Sequence, residues 1–346
     1  MEILITGGSG FLGINLIRYL LKKDFINLTS LDIADFNYPE RDKITTIKGD
    51  IRDKNLLIEL IKDKELIIHA AAAMPLYKKE DIYSTDVQGT KNLLEVAYQN
   101  KVKRFIFISS TAVYDIAAPS PVDENSQLNA LEHYGKAKIM AEKISEEFRC
   151  KGMCVPIIRP KSFIGPERLG AFGFLYDWAK DGKNFPIIGT GKNRYQLLDV
   201  EDLCESIYLC LVKDKAVVND TFNIGAKEFT TMREDFQAVL DEAGFGKKMV
   251  SLPIKFTTSV LKFLEFFHFS PVHEWIYETA YRDSFVSIEK AEKQLGFVPK
   301  YSNKDALIAN YKWYLTNIDK IKQKKVGISQ SNLWKQKGLK LVKIFF

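Results

Sequence analysis

The chain has 346 residues, 46% of them hydrophobic, which suits one large core with a lobe and excludes a disordered chain. The net charge of +6 is lopsided, because eight lysines between Lys320 and Phe346 meet no acid and the remainder sums to −2. A body without basic excess excludes a nucleic-acid partner. The four cysteines show no metal-ligand spacing, and neither a spanning apolar run nor a signal peptide is evident, so no metal and a cytoplasmic location are expected.

In chain order, ILITGG reads as a buried strand and GFLGINLIRYLLKK as an amphipathic helix that begins at the glycines. NLTSLDI and ITTIKGD are strands two and three, followed by helical NLLIELIK. LIIHAAA is the fourth strand, with a helical run from Ser84 to Asn100 behind it. RFIFISS is the fifth strand, the helix HYGKAKIMAE follows, and VPIIRP is the sixth. Strands apolar throughout and alternating with helices predict an α/β fold with a doubly wound parallel sheet covered on both faces. After Pro160 the alternation weakens: FPIIG and TFNIG look like short strands, and 231–318 is mainly helical. The expected organisation is a Rossmann domain over 1–160 with returning segments about 195–228, a smaller and mainly helical substrate lobe over 161–194 and 229–318, and a basic tail over 319–346.

TGGSGFLG, Thr6 to Gly13, sets Gly7, Gly10 and Gly13 between the first strand and its helix. That context predicts a dinucleotide loop, with the diphosphate received at the helix N-terminus above Phe11 and Leu12. A plain strand–helix turn needs only one glycine. Asp32 ends the second strand, where a carboxylate receives ribose hydroxyls and repels a 2′-phosphate, which favours NAD over NADP. Tyr134 and Lys138, one helical turn apart, share a helix face. By itself such a pair suits surface decoration, since a free phenol titrates at ~10, too high for a base at neutral pH.

The GxxGxxG loop joined to YGKAK resembles the extended short-chain dehydrogenase/reductase family, the NAD-dependent sugar epimerases and dehydratases, from Met1 to about Asn317. GD-I-RD at 49–53, HAAA at 69–72, TDVQGT at 85–90, SSTAVY at 109–114, IRPKSFIGP and RYQLLDVEDL follow in family order. The resemblance implies adenine contacts at Asp50 and Ile51, a cofactor-lining loop at Ala70, Ala71 and Ala72, and a cofactor contact at Thr85. It further implies Tyr134 as catalytic base, its phenolate favoured by the Lys138 ammonium and a positive nicotinamide ring, Lys138 also as the holder of the nicotinamide ribose, and Ser110 on the reacting hydroxyl. Arg194 is the expected diphosphate contact, Arg282 a looser one, and Ser162 stands where many family members carry a substrate-touching asparagine.

The 4,6-dehydratases place an Asp–Glu pair where this chain has Thr111 and Ala112, so an epimerase acting on a nucleoside-diphosphate sugar is the expectation. Dehydrogenation of a 3β-hydroxysteroid-like alcohol, and epimerisation of a lipid-linked sugar, are the alternatives; a cofactor-sensing binder has no use for an intact Ser110, Tyr134 and Lys138. Asp86 and Asp115 depart from the family's usual Asn and Gly. The resemblance also implies a homodimer through the helices containing 84–100 and 134–150. Phe256, Val260, Phe263 and Phe267 form a stripe expected in the core. Lysines interleaved with Trp334, Leu339, Phe345 and Phe346 suggest weak peripheral contact with the inner face of a membrane.

Overall fold

The computed structural model describes residues 1–266, 274–323 and Lys343. Seven parallel strands form the main sheet: β1 (Ile3–Thr6), β2 (Leu28–Asp32), β3 (Thr45–Lys48), β4 (Leu66–His69), β5 (Arg104–Ile108), β6 (Ile157–Pro160) and, after three short strands, β10 (Thr221–Ile224). Their order is β10-β6-β5-β4-β1-β2-β3. The reversal on either side of β1 opens a crevice at the carboxyl edge, the usual ligand position in such sheets. Of the short strands, β7 (Phe163–Ile164) pairs with β9 (Leu198–Asp199), while β8 (Phe185–Ile188) pairs with β11 (Met249–Leu252).

The apolar strands are buried on both faces because helices cover both. Helix α1 (Phe11–Lys22) and α7 (Val200–Val212) share one core with Ile3, Ile5 and Ile68. On the other face, α2 (Lys54–Ile61), α4 (Thr90–Gln99) and α5 (His133–Cys150) enclose Leu4, Ile67 and Phe107. Asp53 caps α2, and Asp199 caps α7, through their carboxylates. Between α3 (Lys79–Tyr83) and α4 the chain makes a π-helical turn over Ser84–Gly89, so the expected helical run is widened in its first third.

A third core holds the lobe together, drawing Leu175 and Tyr176 from α6 (Phe172–Lys180), Val239 and Leu240 from α9 (Met232–Glu242), and Tyr311 and Tyr314 from α12 (Asn303–Gln323). The short α8 (Lys215–Val218) precedes β10. The α9 start is fixed by a capping box between Thr231 and Glu234. Helix α10 (Ile254–Phe266) forms where the stripe predicts it, but the stripe is not core: Phe256 is 70% and Phe263 64% exposed. The helix leaves the lobe's core and packs against α11 (Glu274–Thr279) instead. Phe267 and the tail from 324 onward, Lys343 apart, lie outside the described residues. Lys343 pairs with Asp177 at 2.5 Å and Asp181 at 2.8 Å on and just beyond α6.

Candidate active site

The glycine loop is a close-packed turn that admits no side chains. Gly7 adopts φ +72°, and a Cβ there would stand 2.7 Å from the Ala71 nitrogen. At Gly13 a Cβ would meet the Gly7 carbonyl at 2.2 Å. The loop after β4, with Ala70 and Ala71, therefore lies directly against the first turn. No side chain caps α1 at Gly10, so its first amides are open to an anion. Asp32 accepts hydrogen bonds from the Ser9 amide at 3.0 Å and the Ala34 amide at 2.9 Å, which ties the loop to β2. Burial nevertheless raises its pKa against those two bonds.

Asp50 is clamped by Arg52 at 2.6 Å, which lowers its pKa, and Ile51 is buried beneath the π-helical turn, where a Cβ on Gly89 would collide with it. The turn carries Thr85 and Asp86. Thr90 donates to the Asp86 carbonyl at 2.6 Å, so the His69 Nε2 must donate to Thr90 at 2.9 Å. The His69 Nδ1 then accepts from Thr6 at 2.7 Å, and Thr6 in turn accepts from the Ala71 amide at 3.2 Å. His69 is thus a neutral strut, its pKa pushed well down by burial and by Lys138. It locks β1, β4 and the cofactor-lining loop together.

Helix α5 delivers Tyr134 and Lys138 to the end of β5. Lys138 is 2% exposed, donates to the Ile108 carbonyl at 3.1 Å, and lies 5.0 Å from the Phe107 ring centre and 5.7 Å from that of Tyr134. Burial lowers its pKa, while Asp86 and Glu142 oppose that shift. Gly135 lets α5 approach the Ser110 turn, since a Cβ there would stand 2.3 Å from the Ala112 carbonyl. Behind that turn, Arg159 and Glu142 form a buried ion pair at 2.6 Å, extended by Arg159 to the Tyr114 hydroxyl at 2.8 Å and by Ser109 to Glu142. This network holds the Ser109–Ser110 strand end in place.

Without a cofactor, the surroundings of Tyr134 oppose its ionisation. In the protein alone the phenol pKa is raised, first by burial and then by the Asp86 carboxylate, while Ser110 and Arg168 pull it down. Burial removes the water a phenolate needs, and that outweighs the Ser110 hydrogen bond and the Arg168 guanidinium. Asp86 is itself buried: one carboxylate oxygen accepts from the Ala73 amide at 2.8 Å and the other has no hydrogen-bond partner among the described residues. Desolvation raises its pKa to about 6.

A cavity of about 250 Å³ opens beside Ser110 and Tyr134, and Ser162, Arg282 and Tyr195 also line it. The Ser162 hydroxyl lies 3.1 Å from that of Tyr195. Arg282 sits at the rim, donating to the Glu278 carbonyl at 3.2 Å. Arg194 is not brought to the cavity wall; its guanidinium is held between the Phe229 and Phe285 rings at 4.8 and 4.6 Å.

Two cavity residues were not singled out from the sequence. Arg168 is flanked by the Phe11 and Phe163 rings at 5.4 and 5.3 Å, and its Nε is buried without a hydrogen-bond partner among the described residues. Its burial lowers the guanidinium pKa to about 10. A buried guanidinium with a donor to spare, against the first residue of α1, fits an anionic group lying over the glycine loop. Lys161 is 5% exposed and donates to Ser284 at 2.8 Å. The sequence offers no local signal for either, because rings and hydroxyls from distant segments surround them.

The tight glycine turn, the uncapped helix and the orphaned Arg168 donor together suit a dinucleotide. The profile of the NAD dependent epimerase/dehydratase family matches residues 3–225. The chain is 32% identical to the uncharacterized protein y4nG of Sinorhizobium fredii, over 91% of this chain and 78% of that protein. It is 31% identical to N-acetyl-alpha-D-glucosaminyl-diphospho-ditrans,octacis-undecaprenol 4-epimerase of Escherichia coli O157:H7, over 75% of this chain and 77% of that one. UDP-glucose 4-epimerase of Thermotoga maritima, solved with UDP-glucose, shares the fold with a TM-score of 0.77 at 22% identity, covering 92% of this chain and all of that one. The 4,6-dehydratase DesIV of Streptomyces venezuelae, solved with NAD, superimposes with a TM-score of 0.74 at 24% identity over 92% of this chain and 98% of that one.

Proposed function

Because the chain belongs to the NAD-dependent epimerase/dehydratase family, of the extended short-chain dehydrogenase/reductase type, we propose that it is an epimerase acting on a sugar, foremost a nucleoside-diphosphate sugar. NAD, when bound, supplies reversible hydride acceptance. Gly7, Gly10, Gly13 and the start of α1 would hold its diphosphate, Asp32 its adenosine ribose, and Lys138 its nicotinamide ribose. Asp50, Ile51, Ala70, Ala71, Ala72 and Thr85 are the further proposed contacts. Tyr134 takes the proton of a substrate hydroxyl that Ser110 holds, and returns it when the keto sugar has presented its other face. Ser162 is the proposed substrate contact inside the cavity and Arg282 one at its mouth; Arg194 would reach the substrate only by leaving its two aromatic neighbours.

The observation that carries this reading is Ser110 and Tyr134 together on the cavity wall with the Lys138 ammonium 5.7 Å from the Tyr134 ring centre, and Thr111 and Ala112 at the positions a dehydratase fills with acids. Neither side chain can protonate or deprotonate a neighbouring carbon, which leaves chemistry at the carbinol alone. The buried Lys161 ammonium in the cavity wall disfavours the steroid-like alternative, since an apolar ring system would leave it uncompensated. A lipid-linked sugar is the second reading, favoured by the 31% identity to the undecaprenol-linked 4-epimerase. A panel of UDP-, GDP- and dTDP-sugars, with chromatography of products, tests the proposal. Epimerised sugar without accumulating NADH supports it, and accumulating NADH points to a dehydrogenase.

We also propose a homodimer through α4 and α5, supported by Tyr98 and Met140, 44% and 45% exposed on these helices. Light scattering at the monomer mass would remove it. Among the described residues no helix is long and apolar enough to cross a membrane.

A further inference from the structure

Lys161 follows β6 directly, and its backbone is fixed on both sides. Its amide donates to the Ile224 carbonyl at 2.8 Å, and the preceding carbonyl, of Pro160, accepts from Thr111 at 3.2 Å. The side chain lines the cavity at the same sheet edge that presents Ser110. Its ammonium meets one hydroxyl, Ser284 Oγ at 2.8 Å, and the Tyr195 ring at 5.1 Å, with no carboxylate within 4.0 Å among the described residues. Three acids also line the cavity, and none of them reaches this ammonium. Asp115 is engaged by the Ala117 amide and Asn129, Asp283 accepts from the Arg194 amide at 2.7 Å, and Glu132 lies just ahead of α5.

A buried ammonium without a counter-charge is costly and readily gives up its proton, unless a ligand supplies the opposite charge. Two sources could do so: a carboxylate on the sugar, or the diphosphate of its carrier. The diphosphate of a sugar nucleotide has another cation to meet, in Arg282 at the mouth. Lys161 stands instead on the strand end adjoining Ser110 and Thr111, the end where the sugar ring must react. Resting on the nucleotide-sugar reading above, we propose that Lys161 is a specificity residue for an acidic sugar, pairing with the ring carboxylate of a nucleoside-diphosphate hexuronate. Burial alone lowers the Lys161 pKa to about 7, so pairing with a carboxylate would also draw a proton onto the amine.

The test compares binding of UDP-glucose, UDP-glucuronate and UDP to the NAD-loaded full chain by calorimetry, with the GDP and dTDP counterparts alongside. Wild type should bind the hexuronate about tenfold tighter than the hexose on the same nucleotide, a difference of ~1.4 kcal/mol. Titrations in buffers of different ionisation enthalpy near pH 7 should show proton uptake with the hexuronate alone. Lys161→Met and Lys161→Gln should each lose the preference and the proton uptake, with hexose affinity within about twofold of wild type. Equal wild-type affinity for hexose and hexuronate overturns the proposal without any variant. A loss for UDP itself that matches the loss for the hexuronate overturns it too, because Lys161 then holds the diphosphate. Failure of every sugar nucleotide, acidic and neutral alike, removes the underlying nucleotide-sugar reading, an outcome distinct from a failed preference.

Discussion

Two lysines are buried within one site, and their surroundings differ. Lys138 has a backbone carbonyl at 3.1 Å, two aromatic rings beside it, and the carboxylates of Asp86 and Glu142 acting to keep it charged. Among the described residues, Lys161 has one hydroxyl, one ring and no opposing acid. The first charge is compensated by the fold, and the second is left for something that binds. Electrostatic function in this site is thus divided between charges balanced within the chain and charges that only a ligand balances.

The largest expected effect lies on the compensated side. Tyr134→Phe should lower turnover of the productive sugar by at least about 10²–10⁴ while leaving NAD affinity within about twofold, read by product chromatography and calorimetry. Unchanged turnover would dissolve the contrast, since Lys138 would then serve no base. Next is the ion pair behind the site: Glu142→Gln strands the Arg159 guanidinium, and urea unfolding should show a loss of about 3–5 kcal/mol.

Lys161→Met should do the opposite. The folded amine titrates at about 7 and the unfolded one near 10.5, so the native state pays for charging it, fully below pH 7 and progressively less toward 10.5. The variant is expected to gain on the order of a few kcal/mol below pH 7, a gain that shrinks as pH rises. Unfolding curves at three pH values read this.

Asp86→Asn gives a smaller change of opposite pH sense. The folded carboxyl keeps its proton up to about 6 against 3.8 unfolded, so its penalty is absent below pH 3.8 and complete above 6. Stability should rise by about 1–3 kcal/mol above pH 6 and not at all in acid. The smallest effect is at Asp32: Asp32→Ala should cut the preference for NADH over NADPH by about tenfold, measured by fluorescence titration.

The parts of this site that the sequence announces are those made locally. The glycine turn, the strand carrying Ser110 and the Tyr134–Lys138 spacing each lie within a few residues, and strand burial follows from unbroken apolar runs. Arg168 and Lys161 were not legible, because what defines them is missing partners, a property of the folded surroundings. Arg194 reads as a phosphate contact in one dimension but finds two phenyl rings in three. The α10 stripe has the period of a buried face, yet periodicity fixes only which residues share a face and not what covers it. Likewise the raised Tyr134 phenol depends on burial and on Asp86, 48 residues away in sequence.

The account depends most on the phenol of Tyr134 being readied by charges placed around it. Its ionisation can be followed by ultraviolet difference absorbance between wild type and Tyr134→Phe, with and without NAD. The predicted result is a phenol that titrates above its ordinary value in the protein alone and falls once NAD is bound. An ionisation indifferent to NAD would contradict the account.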